Sequence, residues 1–139
     1  MVLAGHWMRY KQIDGLGDIL QFLQQIRIPR IVIIGSVPYW DTPPAMLLYR
    51  AYKADPLHRL PERLFGFSKK TAALDQKLAN IAAKFGVRLI LPFDTLCNSD
   101  GCLARLGYTA REVIQFDKTH LTTVGSRYFI SHVANQILE

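Results

Sequence analysis

No stretch of this 139-residue chain stays apolar for the roughly 18 positions that a membrane-crossing helix needs. Nor does a basic region followed by an apolar run open it, so no signal peptide is expected in these residues. Repeats and low-complexity segments are missing too. Hydrophobic residues make up 50% and charged residues 20%, a globular and not a disordered balance. At this length one domain with a working core is the natural expectation. Like charges never gather into a block: the formal net charge is +6 and the pI about 9.6, yet basic residues are scattered, with pairs such as Lys69–Lys70. A generally basic surface follows, and nucleic acid is not expected as a partner.

Cysteine is also scarce. Cys97 and Cys102 are the 2 present, and they enclose "NSDG", a turn-forming sequence that brings the two thiols together. The spacing favours a disulfide, Cys97–Cys102, over two free thiols, and with it an oxidising compartment such as the periplasm. A zinc site needs about four ligands and finds no second cysteine pair, so neither a metal nor a cofactor is expected.

What is present has an alternating order. The opening "MVLAGHW" reads as a buried strand. Asp14 is placed to cap a helix whose apolar positions Leu16, Ile19, Leu20, Leu23 and Ile26 keep helical spacing. "RIVIIGSVP" (30–38) is a β-branched run stopped by Gly and Pro, the signature of a buried parallel strand. Residues 39–68 are proline-rich and form a long excursion, with a helix over 45–54; such excursions are usually lids or binding loops. A helix spans 69–85 and ends at Gly86. "VRLILPFDTLC" (87–97) is the next strand, "EVIQFD" a short last one, and Thr122 caps a final helix burying Val124, Phe129, Val133, Ile137 and Leu138. Helix-separated buried strands predict an α/β fold of three layers, α/β/α, flavodoxin-like, with a mostly parallel sheet.

Functional groups of such sheets gather at the C-terminal ends of the strands. Asp117 and His120 in "QFDKTHL" lie there, on the turn into the last helix. Three residues apart on a tight turn, the carboxylate holds one imidazole nitrogen and the other faces outward as a general base. Asp-x-x-His is a common pattern by itself; its place in the α/β order is what makes it a candidate.

"DKTHLTTVGSRYF" resembles the last block of the SGNH (GDSL-type) hydrolases, with Asp-x-x-His, Leu, a Thr cap and a helical Gly. "VLAGHWMRY", the Cys-x-x-x-x-Cys loop and "IIGSVP" followed by a Pro-rich excursion resemble one branch. That branch is the soluble SGNH domain fused to the membrane acyltransferase-3 family, bacterial O-acetylases of surface polysaccharide. The resemblance covers essentially the whole chain. It implies that His120 is the triad base and Asp117 its orienting acid. His6, Trp7, Tyr10 and Ser36 fall where a substrate pocket would be. The family's Gly-Asp-Ser is not in this sequence, since Gly17–Asp18 precedes Ile19, and Gly-x-Asn-Asp is missing, with "GHW" near its place. Ser36 is the best internal serine, but it precedes Val-Pro instead of opening a helix as a nucleophile turn does. Ser99, Ser126 and Ser131 are poorer.

The expectation is therefore a single SGNH hydrolase-like domain over 1–139 that is N-terminally incomplete, lacking the first strand and its nucleophile. Complete, it would transfer acetyl to a sugar of a cell-surface polysaccharide or lipopolysaccharide. Its partners would be the glycan acceptor, an acyl donor and a membrane acyltransferase domain, and it would lie in the periplasm beside the inner membrane. An open apolar sheet edge also invites a homodimer. The competing expectation is a non-catalytic SGNH-like module for glycan binding or assembly. A flavodoxin-like response domain would need a phosphate loop or an acidic pocket, and the sequence has neither.

Overall fold

The computed structural model describes residues 1–7 and 13–139. In chain order its elements are β1 (Val2–Ala4), α1 (Leu16–Gln25), β2 (Val32–Ile34), α2 (Pro44–Ala54), β3 (Arg63–Leu64), α3 (Lys70–Phe85), β4 (Arg88–Ile90), α4 (Pro92–Leu96), β5 (Cys97–Asn98), β6 (Gly101–Leu103) and α5 (Thr123–Leu138). A single 3₁₀ turn, Ala110–Glu112, precedes α5.

β2 is the centre of a parallel sheet ordered β1-β2-β4, with Ile33 opposite both Leu3 and Leu89. Successive side chains of a strand point to opposite faces, and both faces of β2 are apolar. Ile33 therefore joins Leu16, Leu20 and Leu23 of α1 and Leu74, Leu78 and Ala82 of α3 in one core. Val32 turns the other way and packs with Ile90 against Phe129 and Val133 of α5. The result is the three-layer α/β arrangement expected from the residue pattern. Each fully buried Leu or Ile here contributes about 1.5–3 kcal/mol.

α3 ends as its pattern predicts, at Gly86 with φ 62°, a left-handed conformation that glycine adopts without steric penalty. Several boundaries differ. Gly15, not Asp14, occupies the N-cap of α1, and no side chain caps it. Ile19 and Ile26 are exposed, as is Leu138 at the end of α5. The strand expected over 87–97 stops at Ile90, because Pro92 starts the short helix α4. The "EVIQFD" strand is replaced by the 3₁₀ turn and isolated bridges at Val113 and Gln115.

The proline-rich excursion is no lid. It builds a second core in which Trp40, Leu48 and Leu64 pack with Leu96, Leu103 and Ile114. Beside this core lies an antiparallel sheet, β3-β6-β5. Cys97 and Cys102 face each other in its hairpin and are joined by the disulfide. Asn98 Oδ1 accepts the N–H of Asp100 at 2.9 Å to form the turn. Gly101 has φ 106°, and a Cβ there would lie 2.5 Å from the Leu64 carbonyl oxygen, so only glycine fits. The buried Arg105 ties the excursion down by donating to the carbonyls of Leu60, Pro61 and Gly107.

Candidate functional site

The turn bearing Asp117 and His120 is held from three sides. Gln115, two residues before Asp117, is only 1% exposed. Its side-chain oxygen accepts from Trp40 Nε1 at 2.8 Å, and its amide nitrogen donates to the Pro38 carbonyl at 3.0 Å. Trp40 N–H in turn donates to the Lys118 carbonyl at 3.0 Å. Phe116 N–H donates to the His120 carbonyl at 3.2 Å and closes the turn. On the helix side Thr122 caps α5 as predicted, accepting from Gly125 N–H at 3.0 Å. A Cβ on Gly125 would sit 2.1 Å from the Ile114 carbonyl oxygen, so the glycine lets the helix start against the turn.

Asp117 Oδ2 and His120 Nδ1 lie 2.7 Å apart. Asp117 Oδ1 also accepts the backbone N–H groups of Thr119 and His120, each at 2.8 Å. Partial burial pushes the Asp117 carboxyl upward, but the bonds from Thr119 N–H, the His120 ring and His120 N–H outweigh it and hold it below the usual carboxylate range. A carboxylate that stays charged can only accept, so Nδ1 carries a proton, and in the neutral imidazole the lone pair is then on Nε2. That tautomer is the one a general base requires. Both side chains reach solvent, His120 at 61% and Asp117 at 42% exposure, so a small molecule can reach them without unfolding.

His120 opens onto a cleft of ≈ 290 Å³ at the C-terminal edge of the parallel sheet. Ala4, Ile34, Val37 and Phe129 make its walls apolar, while His6 and His120 supply polar groups. The His6 ring stacks near that of His120, with centroids 6.3 Å apart. Apolar walls with few convergent polar groups are the usual character of a small-molecule site. Among the described residues no three His, Cys, Asp or Glu side chains converge as metal ligands would.

The other candidates separate. Ser36 lines the cleft, but its hydroxyl is buried and unpartnered among the described residues. Trp7 belongs to the main core, its indole N–H donating to the Ile34 carbonyl at 2.7 Å, and it does not line the cleft. Tyr10 lies outside the described residues. Trp40 is a core residue, whereas Tyr39 lines the cleft. Two features escape a reading of the sequence. Phe116, exposed at 59%, stacks on His120 with centroids 5.6 Å apart. Asp75 of α3 is buried behind Gly35 and Ser36 with Oδ1 unpartnered among the described residues. Neither a lone exposed aromatic nor a helical Asp carries a pattern that marks it.

Comparison with known proteins gives the same fold. The periplasmic domain of a lipopolysaccharide acetyltransferase from Salmonella Paratyphi A superposes with a TM-score of 0.81 at 24% identity, over 99% of this chain and 56% of that one. A Streptococcus pneumoniae chain provisionally described as a platelet activating factor superposes with a TM-score of 0.58 at 15% identity, over 92% of this chain and 51% of that one. This chain thus spans just over half the length of each solved chain. No curated protein matches the sequence. The SGNH domain described as fused to AT3 domains matches residues 1–135, and the chain belongs to that family.

Proposed function

We propose that this domain works in a bacterial membrane O-acyltransferase that moves an acetyl group onto a sugar of cell-surface polysaccharide or lipopolysaccharide. The observation that carries the reading is the charged Asp117 bonded at 2.7 Å to Nδ1 of His120, with Nε2 left free beside an apolar cleft. In this reading His120 and Asp117 are base and acid of a Ser-His-Asp triad whose serine is not among these residues. His120 Nε2 takes the serine proton as the hydroxyl attacks the donor's acyl carbonyl, and gives it to the leaving donor group. It then takes the proton of the sugar hydroxyl as that oxygen attacks the acyl-serine, and returns a proton to the serine. Periplasmic placement beside an AT3 membrane domain agrees with the disulfide and with family membership.

The test is the acetyl-ester content of surface polysaccharide in cells making the AT3-fused protein. His120→Ala and Asp117→Asn should each lower it to background, since triad members cost about 10⁴-fold or more in rate. Unchanged acetylation in both would leave a non-catalytic glycan-binding or assembly module instead.

A further inference from the structure

Phe116 is a large apolar side chain standing in water beside the candidate base. Exposing a phenyl ring costs about 1.5–3 kcal/mol relative to burying it. Neighbouring apolar residues avoid that cost here: Ile114, two positions earlier, is fully buried in the second core. Residues two apart in an extended strand share a face, so alternation would bury Phe116 as well. The chain is paired here only by the isolated bridge of Gln115 with Leu121, and Phe116 leaves the core.

Its ring lies 12° from parallel to the His120 imidazole, with centroids 5.6 Å apart. Rings in direct face contact are about 3.5 Å apart in the perpendicular direction, so a 5.6 Å separation means an offset stack. An offset leaves much of the phenyl face uncovered, forming a step beside the imidazole edge. We propose that this step is a platform for the acceptor and that it takes a pyranose sugar by one face of C–H bonds; the inference rests on the acetyl-transfer reading above.

The chemistry fits the geometry. A pyranose face presents C–H bonds made slightly positive by the attached oxygens, and an aromatic face is slightly negative. A ring laid on Phe116 directs its equatorial hydroxyls sideways, towards the imidazole whose Nε2 is free to take a proton. The cleft itself has apolar walls and suits the small acyl group, so the more polar sugar is left to the exposed side. Phe116 thereby becomes a determinant of acceptor binding, distinct from the dyad that moves protons.

The test uses the 139-residue chain and methyl hexopyranosides of several configurations, followed by saturation-transfer NMR and by shifts of ring resonances. At least one glycoside should receive saturation on a single ring face and shift the Phe116 and His120 signals. Phe116→Ala should weaken its binding about ten-fold, equivalent to losing one aromatic contact. Phe116→Leu should lose as much, because it keeps apolar bulk but has no aromatic face, and Phe116→Trp should retain binding. The proposal is overturned if no glycoside binds, if Phe116→Ala binds as the parent does, or if Phe116→Leu matches the parent. Glycoside binding at Phe116 without any dyad-dependent acetylation would sink the acetyl-transfer reading alone. Dyad-dependent acetylation without contact at Phe116 would sink this inference alone.

Discussion

Asp75 sets a conflict at the level of a single residue. The residue is 7% exposed on α3, behind the wall of the cleft. Burial raises its pKa to about 6, with the Ser36 N–H pulling it down and the Asp94 carboxylate adding to the rise. The folded pKa thus exceeds the unfolded value of 3.8, so the native state binds more protons between the two. Stability is highest below about pH 4, falls as pH rises towards about 6, and is flat above that for this group. Its size is about 2–3 kcal/mol, from 1.36 kcal/mol per unit. Asp75→Asn should therefore stabilise the fold at pH 7.5 and remove most of that slope in urea titrations run across pH 4–7.5. A parent-like slope in the variant would refute the assignment. Asp117 has the opposite sign, since its depressed pKa gives stability above the ordinary carboxylate range that is lost on acidification through the folded pKa.

At the scale of elements, the long helices and the parallel strands β1, β2 and β4 were legible, whereas α4 and the short strands β3 and β6 were not. A helix of 16 residues such as α3 repeats its apolar period several times and ends on a glycine, so pattern alone places it. β2 has 3 residues, all apolar because both faces are covered, and it was read from its β-branched run stopped by Gly and Pro instead of from alternation. "PFDTL" became α4 because Pro92 starts a helix, where the apolar run around it had pointed to a strand. The turn over 113–122 has no pattern of its own. It is held by tertiary partners, chiefly Gln115 bonded to Trp40 and Pro38 across 75 and 77 residues of chain. Gln115→Leu would leave the Trp40 indole N–H and the Pro38 carbonyl buried without partners, at about 1–3 kcal/mol each. Denaturation should show a loss of about 2–6 kcal/mol, and the His120 ring signals should shift with the loosened turn. A variant with parent stability and unmoved His120 signals would show that the clamp does not position the dyad.

At the scale of the whole molecule, the described residues build two cores. One is the three-layer sheet, and the other lies beneath the excursion and the disulfide hairpin. The cleft is lined by Ile34 and Phe129 on the α5 side of the parallel sheet and by Leu121, which also packs against the second core. Among the described residues β1 is an edge of the parallel sheet, with Val2 45% exposed. An apolar edge strand offers its free backbone groups to another strand. The isolated 139-residue chain is expected to self-associate with rising concentration in sedimentation velocity, and Val2→Lys should suppress this. Identical sedimentation of parent and variant across concentration would exclude the β1 edge.

The sequence by itself determined the layer order, the long helices, the disulfide and the Asp-x-x-His pair, because each is written in local spacing and side-chain chemistry. It also carried enough of the SGNH pattern to name the family. Tertiary structure alone decided that Trp7 is core, that the excursion is a second core, and that Phe116, His6 and His120 share one edge. Those outcomes depend on which distant segments pack together, and packing between residues far apart in the chain leaves no periodic trace in either segment.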